Sequence, residues 1–396
     1  MFSSLAKQLD PGDTVVLKLI ATSGCAHLKL NRPQSLNALT IAQTNYIHAH
    51  LREAETKKFM LISSAGDRAF CAGGDVLSMA DWSRRGSGNL EWFGIEYFLN
   101  ERLARLSIPC VSLWKGVVMG GGVGLSIYGT HRIATDTTVL AMPETGIGFI
   151  PDVGASFFLP RISGGFNARK PGNGAEKFPG LGLYLALSGA RVFGQDTLKF
   201  GLATHFVAVD KMAELEHNLL GLKESEHIDE ILADFTAVCP SPSSPHLSSH
   251  RSHTQAKEFS DETLAGIAIY FQESNFEFFW SRLTGSIDLF AKETVELLRA
   301  KCPLTVRVAF ELFQKGRRTS ETVASCLDRE FKVSVFLTQT DPHNFLEGVR
   351  AQLIDKGKGP KADYRPKTIE EVNDEMVQRV MLAEGVADLG LSGEVV

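Results

Sequence analysis

The first clear pattern in the chain is an alternation. Thr14 to Ile20 and Cys25 to Leu30 are rich in valine, leucine and isoleucine, with Thr22-Ser23-Gly24 between them. That pattern predicts a β-hairpin. Asn31-Arg32-Pro33 stops its second strand. The spacing then changes. Ile41, Thr44, Ile47, His48 and Leu51 recur at helical intervals behind Thr40, which predicts a helix capped by Thr40 and running to about Thr56. Phe59 to Ser63 reads as a buried strand and Ser64 to Gly74 as a loop. Helical spacing resumes around Val76 and again from Glu91 to Leu106, and Ile108 to Trp114 is a second buried strand. A glycine-rich turn leads from it into a helix, and short strands follow at Arg132 to Thr135 and Thr138 to Ala141. Strands alternating with helices argue for an α/β core.

Beyond a short helix at Leu183 to Ser188, the pattern becomes mostly helical from about Lys211. Glu262 to Phe271, Ser286 to Lys301, Thr305 to Gln314 and Ser320 to Thr338 carry apolar residues three and four apart. We therefore expect an α/β region over 1–210 and a mostly helical region over 211–396. Two segments break the order. Ser163 to Pro179 is rich in glycine, lysine and asparagine and reads as a surface insertion. Cys239 to Lys257, with three prolines, six serines and three histidines, reads as a linker or long loop. Its His246, His250 and His253 read as part of a solvated polar loop, and no metal site is expected.

Composition narrows the function classes. At 396 residues, with 44% hydrophobic and 22% charged residues, the chain is long enough to bury a sizeable core. The net charge is −5 and no basic block stands out, so nothing calls for nucleic acid or an anionic membrane. No apolar run reaches the length of a membrane span. The six cysteines show no CxxC pairing and read as reduced intracellular thiols. Met1 to Leu9 has one lysine, two serines and no arginine, a poor transit peptide by composition.

Three segments carry candidate chemistry. In Ala69-Phe70-Cys71-Ala72-Gly73-Gly74-Asp75, paired glycines let a backbone approach a ligand and aim its N–H groups. Met119-Gly120-Gly121-Gly122-Val123-Gly124 places bare N–H groups where a helix begins, but it is neither a dinucleotide fingerprint nor a P-loop. In the third, Met142-Pro143-Glu144-Thr145-Gly146-Ile147-Gly148-Phe149-Ile150-Pro151-Asp152-Val153-Gly154, two acids stand among apolar neighbours. Such surroundings make ionisation costly and can tune a carboxylate into a base or nucleophile. Each piece alone has an ordinary explanation: a turn, a close helix packing, a cap.

Together, in this order and spacing, and with Asn31-Arg32-Pro33 and Asn37-Ala38-Leu39 before them, they resemble the crotonase (enoyl-CoA hydratase/isomerase) superfamily. The resemblance implies a spiral core of repeated β-β-α units. It also implies an oxyanion hole of two backbone N–H groups, mapped to Ala72 and Gly121, and a backbone over Ala72 to Asp75, including Gly73 and Gly74, that borders coenzyme A. Hydratases of the superfamily carry a glutamate after the glycine turn; here that position is Gly124. Asp152 stands where they have a small residue. This stretch, Phe158-Leu159-Pro160-Arg161, Glu96-Tyr97-Phe98-Leu99-Asn100, Ala203-Thr204-His205-Phe206-Val207 and Phe345 to Ala351 are similar instead to the 3-hydroxyisobutyryl-CoA hydrolases. That branch implies hydrolysis of a short 3-hydroxyacyl-CoA in valine breakdown. Glu144 would be nucleophile or base, Asp152 would activate water or protonate the leaving thiolate, and Glu96 would contact the substrate hydroxyl. Coenzyme A would enter as part of the substrate, with no separate cofactor. The mitochondrial matrix is the expected compartment, with the cytoplasm as the alternative, and a homo-oligomer is in keeping with the superfamily. The rival expectations are a hydratase or isomerase and a non-catalytic acyl-CoA-binding scaffold. The chain departs from the branch at the Ser163 to Pro179 insertion, at Gly154-Ala155-Ser156 where glycines are usual, and at Lys361-Ala362-Asp363-Tyr364, which lacks the usual tryptophan.

Overall fold

A computed structural model describes residues 15–19, 23–164, 166, 177–236 and 259–391. The N-terminal stretch through Leu9, most of the Ser163 to Pro179 insertion and the Cys239 to Lys257 segment with its histidines lie outside them.

The expected hairpin is present as β1 (Val15–Leu19) and β2 (Cys25–Leu30), paired antiparallel from Val15↔Leu30 to Leu19↔Ala26. Helix α1 (Ile41–Ala54) starts at Thr40 with a full capping box: Gln43 N–H donates to Thr40 Oγ1, and Thr40 N–H donates back to Gln43 Oε1 (2.9 Å). Its buried face is Gln43, Thr44, Ile47, Leu51 and Ala54. β3 (Phe59–Ser64) is buried along its whole length. The segment expected to be a loop after it contains a short strand, β4 (Ala69–Cys71). Then come α2 (Val76–Arg85), α3 (Asn89–Ala104), β5 (Cys110–Trp114), β6 (Val117–Met119), α4 (Gly121–Gly124), β7 (His131–Ala134), β8 (Val139–Ala141) and α5 (Ala155–Phe158). α6 (Leu181–Ser188), β9 (Val192–Phe193), α7 (Gly194–Lys199) and β10 (His205–Phe206) complete this part.

The strands form two sheets, ordered β1-β2-β3-β5-β7-β10 and β4-β6-β8-β9. Successive strands β3 and β4, β5 and β6, β7 and β8 go one to each sheet, so each β-β-α turn advances both sheets by one strand. All pairings are parallel except β1 with β2 and β8 with β9. Parallel sheets need cover on both faces, which explains the continuous burial of β3 and β5.

The rest is helical: α8 (Met212–Gly221), α9 (Ile228–Phe235), α10 (Asp261–Tyr270), α11 (Phe276–Thr284), α12 (Leu289–Arg299), α13 (Pro303–Gly316), α14 (Val323–Val335), α15 (His343–Val349) and α16 (Asp374–Leu382). α11, α15 and α16 add to the helices expected from spacing. One apolar core runs from Ala26 through Leu391, so the helical part shares it with the strands. α8 and α9 cover a second cluster around Phe59, Val111 and Ile133.

A polar network fastens α8 to the larger sheet. Ser63 donates to Glu216 Oε1 (2.8 Å), and His27 Nε2 meets Ser63 Oγ (2.8 Å). A serine, a histidine and an acid in contact suggest a nucleophile. Here the single serine proton goes to the carboxylate, so Nε2 is the donor toward serine and the base role is reversed. The network is a fastening.

Candidate active site

The 72–75 loop is held by the Asn31 to Leu39 segment. Asn37 donates its side-chain amide to the carbonyls of Ala65 (3.0 Å) and Ala69 (2.9 Å). Leu39 N–H donates to Gly73 O (2.8 Å), and Asp75 N–H donates to Leu39 O (2.8 Å). Ala72 N–H donates to Leu36 O (3.0 Å). This corrects one expectation: the Ala72 amide is consumed inside the fold and cannot also receive an oxyanion. The bridge between Leu39 and Gly74 leaves the Gly74 N–H pointing away from that segment. A Cβ built on Gly121 would lie 3.3 Å from Gly74 N, and one built on Gly73 would lie 3.6 Å from Gly121 N. The amides of Gly74 and Gly121 thus border one cradle, with Gly121 opening α4. Asp75, expected to border coenzyme A through its backbone, is bonded within the fold. Its carboxylate caps α2 through Ser78 N–H (3.3 Å) and pairs with Arg32 (3.3 Å), and its backbone is spent on Leu39 O and Met79 N–H, so neither is left for a ligand.

Three acids close on this cradle. Glu96 projects from α3 and is 3% exposed. Its Oε2 accepts from Trp92 Nε1 (2.9 Å), one helical turn earlier, while its Oε1 has no partner. That free oxygen would lie 2.5 Å from a Cβ on Gly121. Glu144 opens a 3-10 turn, Glu144–Ile147, and is 7% exposed with an unpartnered Oε2. Its Oε1 would lie 3.0 Å from a Cβ on Gly120. The turn is clamped from the helical part: Cys302 N–H donates to Thr145 O (2.9 Å), and Tyr364 donates its hydroxyl to Gly146 O (2.8 Å). Tyr364 is the last residue of the motif that lacks tryptophan. Gly348 approaches so closely that a Cβ there would meet Ile147 C at 2.3 Å.

Asp152 is 6% exposed and accepts the Tyr97 hydroxyl at Oδ2 (2.7 Å). The next residue, Val153, sits at φ +52°, an unusual conformation for a β-branched side chain. Its surroundings hold it there. Tyr128 donates its hydroxyl to Val153 O (2.7 Å), and Gly154 N–H donates to Glu330 Oε2 (2.6 Å). Ser156 donates both its N–H (2.9 Å) and its hydroxyl (2.6 Å) to Glu330 Oε1. Glu330 lies fully buried on α14 and was not foreseen. Its only sequence signal is an acid within the Leu327, Phe331 stripe of a helix.

Burial is the largest influence on all these acids. It pushes Glu144 well above the usual carboxylate range, with the Asp152 charge adding to it. Glu96 rises to about 8 by burial and by Asp152, against the lowering effect of the Trp92 bond. Asp152 rises to about 7, moderated by the Tyr97 bond. Clustered buried acids share protons at neutral pH instead of ionising together. Such a site can hold a proton for a leaving group beside a carboxylate that has none.

Gly124 decides between chemistries. A Cβ there would lie 2.6 Å from Val153 Cβ and 3.0 Å from Asn100 Nδ2, so this backbone has no room for a glutamate. The place where a hydratase's second acid would stand is filled by the Asp152 loop.

Interleaved sheets, a glycine cradle and a Pro-Glu turn define a crotonase: the chain belongs to the enoyl-CoA hydratase/isomerase family, whose profile matches residues 25–381. Within that family it is similar over nearly its full length to proteins named mitochondrial 3-hydroxyisobutyryl-CoA hydrolase. The Danio rerio protein is 34% identical, covering 96% of this chain and 92% of its own. The Gallus gallus protein is 35% identical (97% and 93%), and the Homo sapiens protein 34% (97% and 92%). Among solved structures, a carnitinyl-CoA dehydratase from Mycobacterium thermoresistibile matches with a TM-score of 0.78 at 30% identity, covering 97% of this chain and all of its own. An enoyl-CoA hydratase from Rhodobacter sphaeroides matches at 0.72 and 28% identity, covering 93% of this chain and 97% of its own.

Proposed function

We propose that this protein hydrolyses a short 3-hydroxyacyl-CoA thioester, 3-hydroxyisobutyryl-CoA first among them, to the free acid and coenzyme A. The observation that carries the reading is a buried Asp152 close enough for its charge to act on the buried Glu144, with no room for a glutamate at Gly124. The names of its full-length relatives support the same substrate and a place in valine breakdown. Those names also support the mitochondrial matrix as its compartment.

In this reading the thioester oxygen lies between the Gly74 and Gly121 amides, which stabilise the charge that develops there. Deprotonated Glu144 either attacks the carbonyl, forming a mixed anhydride, or takes a proton from the attacking water. Asp152 delivers a proton to the departing thiolate, or takes one from the water that resolves the anhydride. The free oxygen of Glu96 accepts from the substrate's 3-hydroxyl. Trapping with hydroxylamine separates the routes, because only the anhydride yields a protein hydroxamate.

The test of function is release of free thiol from 3-hydroxyisobutyryl-, 3-hydroxypropionyl-, acetyl- and crotonyl-CoA. Fast release from the two 3-hydroxyacyl thioesters is the expected result. No release from any of them, with water added to crotonyl-CoA, would place the protein among the hydratases.

A further inference from the structure

The Asp152 carboxyl is held by a short chain of hydroxyls that ends on the helical region. Tyr97 OH lies 2.7 Å from Asp152 Oδ2 and 2.8 Å from Ser334 Oγ. Asp152 is 6% exposed, and Tyr97 and Ser334 are fully buried, so no bulk water competes for these atoms. A phenol carries one proton, so it donates in one direction at a time. With Asp152 ionised, Tyr97 donates to the carboxylate and Ser334 donates to Tyr97. With Asp152 protonated, the order reverses. Asp152 Oδ2–H donates to Tyr97, and Tyr97 donates to Ser334. Both arrangements keep the Tyr97 hydroxyl bonded to Asp152 and to Ser334 with the heavy atoms in place. The one extra proton sits on Asp152, taken from water and passed to the leaving thiolate, so the chain itself neither gains nor loses one.

We propose that Tyr97, backed by Ser334, is a positioning residue for the hydrolysis. Its hydroxyl reverses donor direction as Asp152 gains and loses its proton, keeping the carboxyl in one geometry through both states. This rests on the proton-carrying role given to Asp152 in the hydrolase reading. The titratable groups facing Asp152 are Glu96 and Tyr97 of α3, Glu144 of the adjoining turn, Tyr128 beyond α4 and Glu330 of α14. All are acids. Against burial and these neighbours, the Tyr97 hydroxyl is the larger of the two bonds that favour the ionised form of Asp152, the other coming from the backbone.

The test is a carbon-13 NMR titration of the full chain labelled at aspartate carboxyls, with Asp152→Asn identifying the signal. Tyr97→Phe keeps the ring and removes the donor to the anion, so the Asp152 midpoint moves up by about one to two pH units, the size of a hydrogen bond to a charged acceptor. Its kcat falls about tenfold or more while KM stays within about twofold, the pattern of a group that acts in the transition state. Ser334→Ala removes the acceptor needed when Asp152 is protonated, so its midpoint moves the other way, and this variant carries the test alone if Tyr97→Phe does not fold. An unchanged midpoint in Tyr97→Phe, or an upward shift in Ser334→Ala, would overturn the proposal. Absence of thiol release by the wild type would instead sink the hydrolase reading, since the titration reads the hydroxyl chain without turnover.

Discussion

Gly121→Ala perturbs the cradle with a single methyl group. The added Cβ falls 2.5 Å from Glu96 Oε1 and 3.3 Å from Gly74 N. The first contact is about 0.9 Å inside an ordinary van der Waals approach of about 3.4 Å, so the carboxylate must retreat or α4 must shift. Glu96 has little freedom, being 3% exposed and bonded to Trp92 at 2.9 Å. Overpacking of this kind costs about 1–3 kcal/mol of stability. The second contact bears on catalysis. An oxyanion must lie about 2.7–3.1 Å from its donors, and the methyl occupies that space above the Gly74 amide. Losing one such donor lowers kcat by about 10²–10³. Displacement of Glu96 would also slow the reaction, and a double-mutant cycle separates the two causes. In Glu96→Ala the carboxylate is gone, so the methyl added by Gly121→Ala no longer collides with it. If the cradle is the cause, adding Gly121→Ala to Glu96→Ala still removes about two orders of magnitude. If displacement is the cause, the double variant equals Glu96→Ala. Thiol release from 3-hydroxyisobutyryl-CoA gives kcat, and a thermal melt gives the stability term. A folded Gly121→Ala with kcat within about threefold of wild type, against the expected loss of about 10²–10³, would refute the placement of the oxyanion hole.

Single elements were legible in the sequence because their signals are local, whereas the repeated unit and the roles expected of Glu144, Asp152 and Glu96 came from the family resemblance. Thr40 and Gln43 announce a helix start within one turn, and β3 and β5 are mostly apolar and buried throughout. The strands that escaped notice, β4, β9 and β10, are two or three residues each, too short for a period to emerge. The mistaken donor at Ala72 has a different origin. Which amide stays free depends on the register of the Leu39 to Gly74 bridge and on the Leu36 carbonyl, set across a turn far from the glycines themselves. Tyr97 lay inside a motif already singled out, yet its role depends on Asp152, 55 residues away. Glu330 is farther still, 174 residues from Ser156. Its partner Ser156 belongs to the Gly154-Ala155-Ser156 departure, so one local irregularity pairs with a distant buried acid. Spacing along a chain carries no information about such pairs.

Glu144→Gln is expected to lose most hydrolysis while still binding acyl-CoA, and to be more stable than wild type at pH 8. The buried carboxyl is held above its unfolded value, so its ionisation favours unfolding as pH rises from about 4.5, and glutamine removes that penalty. Retained turnover would exclude Glu144 from the mechanism. Glu216 runs the other way. Its folded value is lowered to about 2 by the His27 and Ser63 bonds acting against burial. It therefore contributes stability above about pH 4.5 that is lost as pH falls toward 2. With its side chain 21% exposed, Glu216→Gln should cost on the order of 2–3 kcal/mol in urea unfolding at pH 7 and roughly half as much or less at pH 3, and an equal cost at both would refute this. Asp152→Asn separates the charge of Asp152 from its proton. Asparagine still accepts from Tyr97 but carries no charge, so one of the two causes holding Glu144 protonated disappears. Glu144 then ionises at lower pH, and the acid limb of kcat/KM moves down. Burial, the larger cause, remains, so the limb stays above the ordinary carboxylate range. The plateau rate falls at the same time, because no group is left to hand a proton to the thiolate. A thioester with a more acidic leaving thiol needs that proton less and should recover part of the loss. A limb that stays in place, or an equal loss with both leaving groups, would separate Asp152 from Glu144 and return it to a structural role.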